Sequence, residues 1–118
     1  MDKDVKDFLE YLHYQRNYSI DTIKSYGSDL DSFISFLKRE EIDLYKFDKQ
    51  DAKNYVAELY LKKLAKKSIV RHISTCRSFY KYLLRESKVT INPFLAIKSI
   101  KREKKLIYSK ILKIPLII

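Results

Sequence analysis

Apolar residues recur at steps of three and four along most of this chain, the spacing that aligns them on one face of an α-helix. Val5, Phe8, Leu9 and Leu12 form such a stripe and predict a first helix over about 4–16, with Asp2, Asp4 and Asp7 suited to its positive N-terminal end. Ser19 is a favourable N-cap, and Ile20, Ile23, Tyr26, Leu30, Phe33, Ile34 and Leu37 carry a second helix of about five turns to near Arg39. Gly27 lies inside it, costs about 1 kcal/mol against Ala, and is a candidate for close approach by another backbone. The stretch 40–47 breaks the pattern and reads as a connection. Asp48, with Asp51 at the capping-box position, opens a third helix with the buried stripe Ala52, Tyr55, Val56 and Leu59. Beyond Lys62, Lys63, Lys66 and Lys67, Ser68 is expected to cap a fourth helix reaching about Glu86. Its core face is Ile69, Ile73, Cys76, Tyr80, Leu83 and Leu84. Asn92-Pro93 ends the regular pattern, a short helical turn around 94–97 follows, and the run Lys101, Arg102, Glu103, Lys104, Lys105 leads into an apolar tail, 106–118.

Composition narrows the fold class. One Gly and two Pro in 118 residues cannot supply the turns of a sandwich or barrel, so the chain is expected to be all-α. With 46% hydrophobic and 34% charged residues it falls outside the disordered and membrane classes and suits one soluble domain. No run approaches the roughly 18 apolar residues of a spanning helix. Cys76 is a single cysteine, and the start MDKDVKDF has no secretory n-region or h-region, which together point to a reducing cytoplasm. The tail is too short to span a bilayer and too apolar to hang free. Its expected partner is the domain's own core, then a second protein, then a membrane surface.

The charge is unevenly divided. Of 25 Lys+Arg and 15 Asp+Glu, residues 1–60 hold 9 and 13, and residues 61–118 hold 16 and 2, so a net charge of +10 is the sum of −4 and +14. A patch of that sign attracts polyanions, nucleic acid first among them. On the fourth helix, Arg71, Ser74, Thr75, Ser78, Tyr82 and Arg85 project within about 100° opposite Ile73 and Tyr80. Such a stripe fits a DNA major groove, with Arg reaching guanine or phosphate and Ser or Thr reaching phosphate oxygens. Ser68, beside Lys66 and Lys67, brings free backbone N–H groups, the helix dipole and ammonium groups to one spot suited to a phosphate. Ser19, Thr22, Lys24 and Ser25 offer a weaker version at the second helix. A plain solvated face and plain caps are the competing readings.

Catalytic constellations are sparse. His72 and Cys76 have the i, i+4 spacing of a metal pair but lack two further ligands, and Cys76 falls on the core face. His13 stands alone. Asp29 with Asp31, and Glu40 with Glu41, are paired carboxylates expected on solvated helix faces. A Gly-rich phosphate loop needs more than one glycine. Ten tyrosines invite a tyrosine nucleophile, but most lie beside apolar stripes and two histidines are few for its surroundings. No metal, cofactor or small-molecule substrate is expected.

Two longer patterns stand out: Ser-x-x-Thr-x-x-x-Tyr-x-x-Asp-Leu-x-x-Phe at Ser19, Thr22, Tyr26, Asp29, Leu30 and Phe33, and Ser-Ile-x-Arg-x-Ile-Ser-x-x-Arg-Ser-Phe-Tyr-x-Tyr-Leu over 68–83. With Asn92-Pro93 and the basic run after Ile97, the stretch from about Val5 to Leu106 resembles the N-terminal core-binding domain of the tyrosine recombinases, the phage-integrase and Xer-like site-specific recombinases. The resemblance implies a four-helix orthogonal bundle of two crossed helical hairpins that grips one face of a recombination-site duplex through its second and fourth helices. In such proteins a separate C-terminal domain carries the Arg, Lys, His and Tyr active site, which this chain has no room to hold. Thr22, Ser68, Arg71, Ser74 and Arg77 match places where the family touches DNA. Arg77, at the edge of the core face, is alternatively a brace of the fold. Gly27 and Ser28 stand where the family often has basic residues, and His72 where a second Arg is common. After Lys105 the chain departs from the family.

The expectation is therefore a non-catalytic DNA-binding domain over 1–97, with 98–118 a basic linker and apolar tail cut short of a catalytic domain. The expected contacts are Ser19, Thr22, Lys24, Ser25, Lys66, Lys67, Ser68, Arg71, Ser74, Thr75, Arg77, Ser78, Lys101 and Arg102. Expected partners are double-stranded DNA and other recombinase protomers on it, in the cytoplasm at the nucleoid. A helical protein-interaction module docking through its tail and a dimeric operator-binding regulator are the alternatives.

Overall fold

The computed structural model describes residues 2–97. Among these there are four α-helices, two 3-10 turns and no strand. The helices are α1 (Asp2–Tyr14), α2 (Ile20–Arg39), α3 (Lys49–Leu61) and α4 (Lys66–Arg85); the turns are Leu44–Lys46 and Pro93–Ala96. The all-α bundle expected from the sequence is present. Lys101, Arg102 and the apolar tail lie outside the described residues.

Two of the predicted helix starts are where the side chains place them. The Ser19 hydroxyl accepts the Thr22 N–H at 3.2 Å, and Asp48 and Asp51 form a reciprocal capping box. The fourth start is corrected: α4 begins at Lys66 behind Ala65, with no side-chain cap, so Ser68 is the third residue of the helix. The lysine cluster is also divided, Lys62 closing α3 while Lys66 and Lys67 open α4. The first helix runs two residues earlier than predicted.

The helix ends explain why they were hard to read. Asn17, Glu41, Lys63 and Ser87 all take left-handed backbone, with φ between 55° and 58°, a place usually held by glycine. At Glu41 and Ser87 the bonds of a complete Schellman motif are present, with Ile42 N–H to Leu37 C=O and Lys88 N–H to Leu83 C=O both at 2.9 Å. Each non-glycine residue there costs about 1 kcal/mol, offset by the carbonyls it satisfies.

The hairpin α1–α2 packs on the hairpin α3–α4, chiefly through α2 against α4, and the Pro93–Ala96 turn closes over α3 and α4. Phe33, Phe47, Tyr55, Tyr80 and Phe94 meet at the centre, with ring centroids 5.0 to 6.4 Å apart. Leu44 and Phe47, within the stretch read as a connection, are buried, and Leu44 C=O accepts the Tyr80 hydroxyl at 2.7 Å. Asp4 is likewise buried; Lys88 and Tyr45 hydrogen-bond it, tying the start of α1 to the segment after α4. Burial alone raises the Asp4 pKa, but these bonds and the Lys88 charge outweigh it and hold the carboxyl below its ordinary value.

Gly27 does not mark a backbone approach. A Cβ there would meet Leu9 Cδ1 at 3.6 Å, an ordinary contact. Gly27→Ala is therefore expected to raise the unfolding free energy by about 0.5–1 kcal/mol, read from the denaturant midpoint. A lowered midpoint would show that the helix crossing needs the bare Cα.

Candidate nucleic-acid interface

Asp29 was expected on a solvated face; it has no exposed surface. It lies on the side of α2 that meets α4, where three donors from one turn of α4 bond it. Arg71 Nε donates to both carboxylate oxygens at 3.1 and 3.2 Å, Arg71 Nη2 donates to Oδ1 at 2.9 Å, and the Thr75 hydroxyl donates to Oδ2 at 2.8 Å. His72 Nε2 is 3.5 Å from Oδ1. Hydrogen bonding to Asp29 raises the Arg71 pKa further. Burial lowers that of His72, whose Nδ1 is buried with no hydrogen-bond partner.

This contact rotates α4 relative to the simple wheel. Thr75 is fully buried on Asp29, and Tyr82 is buried against Phe8 and Tyr11, so neither projects outward as expected. The free face is displaced by roughly 70°, counting 100° per residue, toward Val70 and Lys81. It carries Lys66, Lys67, Val70, Arg71, Ser74, Lys81 and Arg85, all exposed, and the helix has no acid along its length. Lys81 was not among the expected contacts; the only available signal was its position 14 residues after Lys67, which returns it to within 40° of the same face.

The other expected residues are distributed as follows. Ser68 is half-buried in the first turn of α4. Ser78 is half-buried beside Tyr26 of α2. Arg77 donates to Ile97 C=O at 3.1 Å and to Phe94 C=O at 3.4 Å, while Asn92 Nδ2 bonds the Arg77 carbonyl at 3.0 Å. The brace alternative is therefore the geometry observed for Arg77. At the start of α2, Ser19 and Lys24 are exposed and Thr22 and Ser25 half-buried, with the Ser19 hydroxyl donating to Thr22 Oγ1 at 2.9 Å.

Asp29 faces Arg71 and Thr75, while Tyr26, about one turn earlier on α2, faces Ser78, about one turn later on α4.

Candidate nucleophiles are absorbed by the core. Burial pushes the Cys76 thiol up, and the Tyr55 and Tyr80 hydroxyls are pushed up by burial and engaged by Ser32 and Leu44 C=O. Among the described residues no three His, Cys, Asp or Glu side chains gather to hold a metal, and no helix is long and apolar enough to cross a membrane.

Comparison with known proteins places this geometry. The phage integrase N-terminal SAM-like domain matches residues 5–87. The chain is 42% identical over 104 residues to the tyrosine recombinase XerC of Staphylococcus epidermidis, covering 88% of this chain and 35% of that protein. It is 40% identical over 103 residues to the XerC of Staphylococcus saprophyticus (87% and 35%) and 42% over 97 residues to that of Staphylococcus aureus (82% and 33%). The chain spans about a third of the length of the curated relatives it matches. No solved structure matches it.

Two outcomes test the Asp29 cluster. Thr75→Val removes one buried donor to a carboxylate at nearly constant volume and should lower the unfolding free energy by roughly 2 kcal/mol; an unchanged denaturant midpoint would show that Asp29 does not depend on it. His72 has its pKa lowered by folding, so below about pH 6.5 the unfolded chain takes up a proton that the folded chain does not. Stability should fall as pH drops from 7 toward 5, and His72→Gln should flatten that dependence in melting curves.

Proposed function

This chain belongs to the phage integrase N-terminal SAM-like domain family, and on that premise we propose that it binds duplex DNA at a recombination half-site. It supplies one half of a clamp whose catalytic half is a separate domain in the recombinases it resembles. The observation that carries the reading is the outward face of α4. It presents Lys66, Lys67, Arg71, Lys81 and Arg85, the last over the Tyr11 ring, with Ser74 among them; among the described residues the only ion pair on this face is that of Arg71 with Asp29.

The face has two kinds of donor. Lys66 and Lys67 sit in the first turn of α4, where free backbone N–H groups and the helix dipole add to their charge, an arrangement suited to a phosphate. The Ser19–Ser25 end of α2 offers a second backbone contact of lower charge. The outward face of α2 between Asp21 and Lys38 mixes acids with lysines, which favours α4 as the helix against the groove. Arg77 and Thr75 act from within, holding the Pro93–Ala96 turn and Asp29. Lys101 and Arg102 are proposed to continue the phosphate contacts beyond the bundle. No strand cleavage is assigned to the described residues, and no cofactor or small-molecule substrate. The proposed setting is the nucleoid, with recombinase protomers on the neighbouring half-site.

Fluorescence anisotropy with a random 30-base-pair duplex tests the reading. With half a clamp, affinity should be micromolar at low salt. With about four phosphate contacts, the slope of log K against log salt should be near −4. Lys67→Ala and Arg71→Ala, with helicity checked by circular dichroism, should each weaken binding more than Lys38→Ala. Equal losses would sink the α4 face. Absence of binding at both high and low salt would remove the DNA role.

A further inference from the structure

The Arg71–Asp29 pair has a feature that phosphate binding does not call for. A phosphate rewards net positive charge, whereas Arg71 is set on a carboxylate with no access to solvent, which offsets much of its charge. The contact is also side-on: Asp29 takes the Nε–H and one Nη2–H. A guanidinium has five N–H donors, so the bonds to Asp29 leave both protons of Nη1 and the second of Nη2, two of them paired on the terminal edge. The Arg71 side chain is 49% exposed. What remains is a planar two-nitrogen fork with little net charge and a fixed aim, on the exposed face of a helix proposed to enter the major groove.

That combination suits a neutral pair of acceptors in one plane. Among base edges in the major groove, guanine O6 and N7 provide it, and a bidentate Arg contact there discriminates by sequence, as a phosphate contact does not. We infer that Arg71 reads a guanine edge and that Asp29, locked in turn by Thr75, is the positioning residue that aims it. The inference rests on the DNA-binding reading above and adds to it where sequence information enters. Lys66 and Lys67, exposed and without an ion pair among the described residues, keep the role of phosphate contacts.

The test uses the full chain and two pools of random 30-base-pair duplex, one natural and one in which 7-deazaguanine replaces guanine. The substitution removes the N7 acceptor and leaves pairing and phosphates in place. The wild-type protein should bind the deaza pool about five- to tenfold more weakly, the scale of losing one bidentate base contact. Arg71→Lys keeps a cation on Asp29 but has no planar fork, so it should bind both pools alike. Its salt slope should match the wild type, while Lys67→Ala should reduce the slope by about 0.9, one phosphate's worth. Asp29→Asn should also abolish discrimination between pools while steepening the salt slope, because the freed guanidinium becomes an unneutralised cation; a merely structural Asp29 would lower affinity for both pools in proportion. Equal wild-type affinity for the two pools overturns the inference and leaves DNA binding intact. So does a deaza penalty that survives in Arg71→Lys, because another residue then makes the contact. Failure of the wild type to bind either pool overturns the DNA-binding reading itself.

Discussion

A carboxylate without access to water must find its hydrogen bonds inside the protein, and Asp29 finds them on the other hairpin. Arg71 and Thr75 are 42 and 46 residues away in sequence, so the ion pair forms only when α2 lies against α4 in one register and one rotation. Slipping either helix by one residue turns a side chain by about 100° and strands a buried charge, a penalty of several kcal/mol. Apolar packing between the same helices is far less selective, because a neighbouring register also buries hydrocarbon. The pair thus settles which face of α4 is inside and therefore which is outside.

The aromatic centre performs a different task. Phe33, Phe47, Tyr55, Tyr80 and Phe94 come from five separate segments, Phe47 directly after the first 3-10 turn and Phe94 within the second, and so join the connections to the helices. Polar ends are satisfied at the edge of the cluster: the Tyr80 hydroxyl bonds Leu44 C=O, and Ser32 meets the Tyr55 hydroxyl at 3.1 Å. Arg77 then fastens the segment after Pro93 by its last carbonyls. Arg77 is thus satisfied by backbone, while Arg71, six residues earlier, is held by a side chain of the other hairpin.

The division of charge follows from this architecture. Acids concentrate in the first half of the chain, and some act within the fold: Asp4 binds Lys88, and Glu58 binds Arg39 and Lys62. Among the described residues the free face of α4 has no such partner except Asp29 beneath Arg71. Among the described residues α4 is therefore the helix that carries exposed cations and no acid of its own.

The sequence by itself determined the helix count, the apolar stripes and the two side-chain caps, because each depends on residues within a few positions of one another. It also determined the all-α class and the charge asymmetry, which depend on composition alone. Helix ends were poorly legible because the usual punctuation is absent: Asn17, Glu41, Lys63 and Ser87 hold left-handed positions that glycine would have announced. The start of α4 was displaced for the same reason, Ala65 giving no capping signal while Ser68 gave a false one. Only the tertiary structure decided that Asp29 is buried, that Thr75 and Tyr82 face inward, and that Arg71 is held with one edge free. A helical wheel assumes one buried face opposite one free face. In this bundle α4 is covered by α1 and α2 on one flank and by α3 and the Pro93–Ala96 turn on the other. The exposed stripe is the remainder left by four neighbours, and no local pattern encodes a remainder.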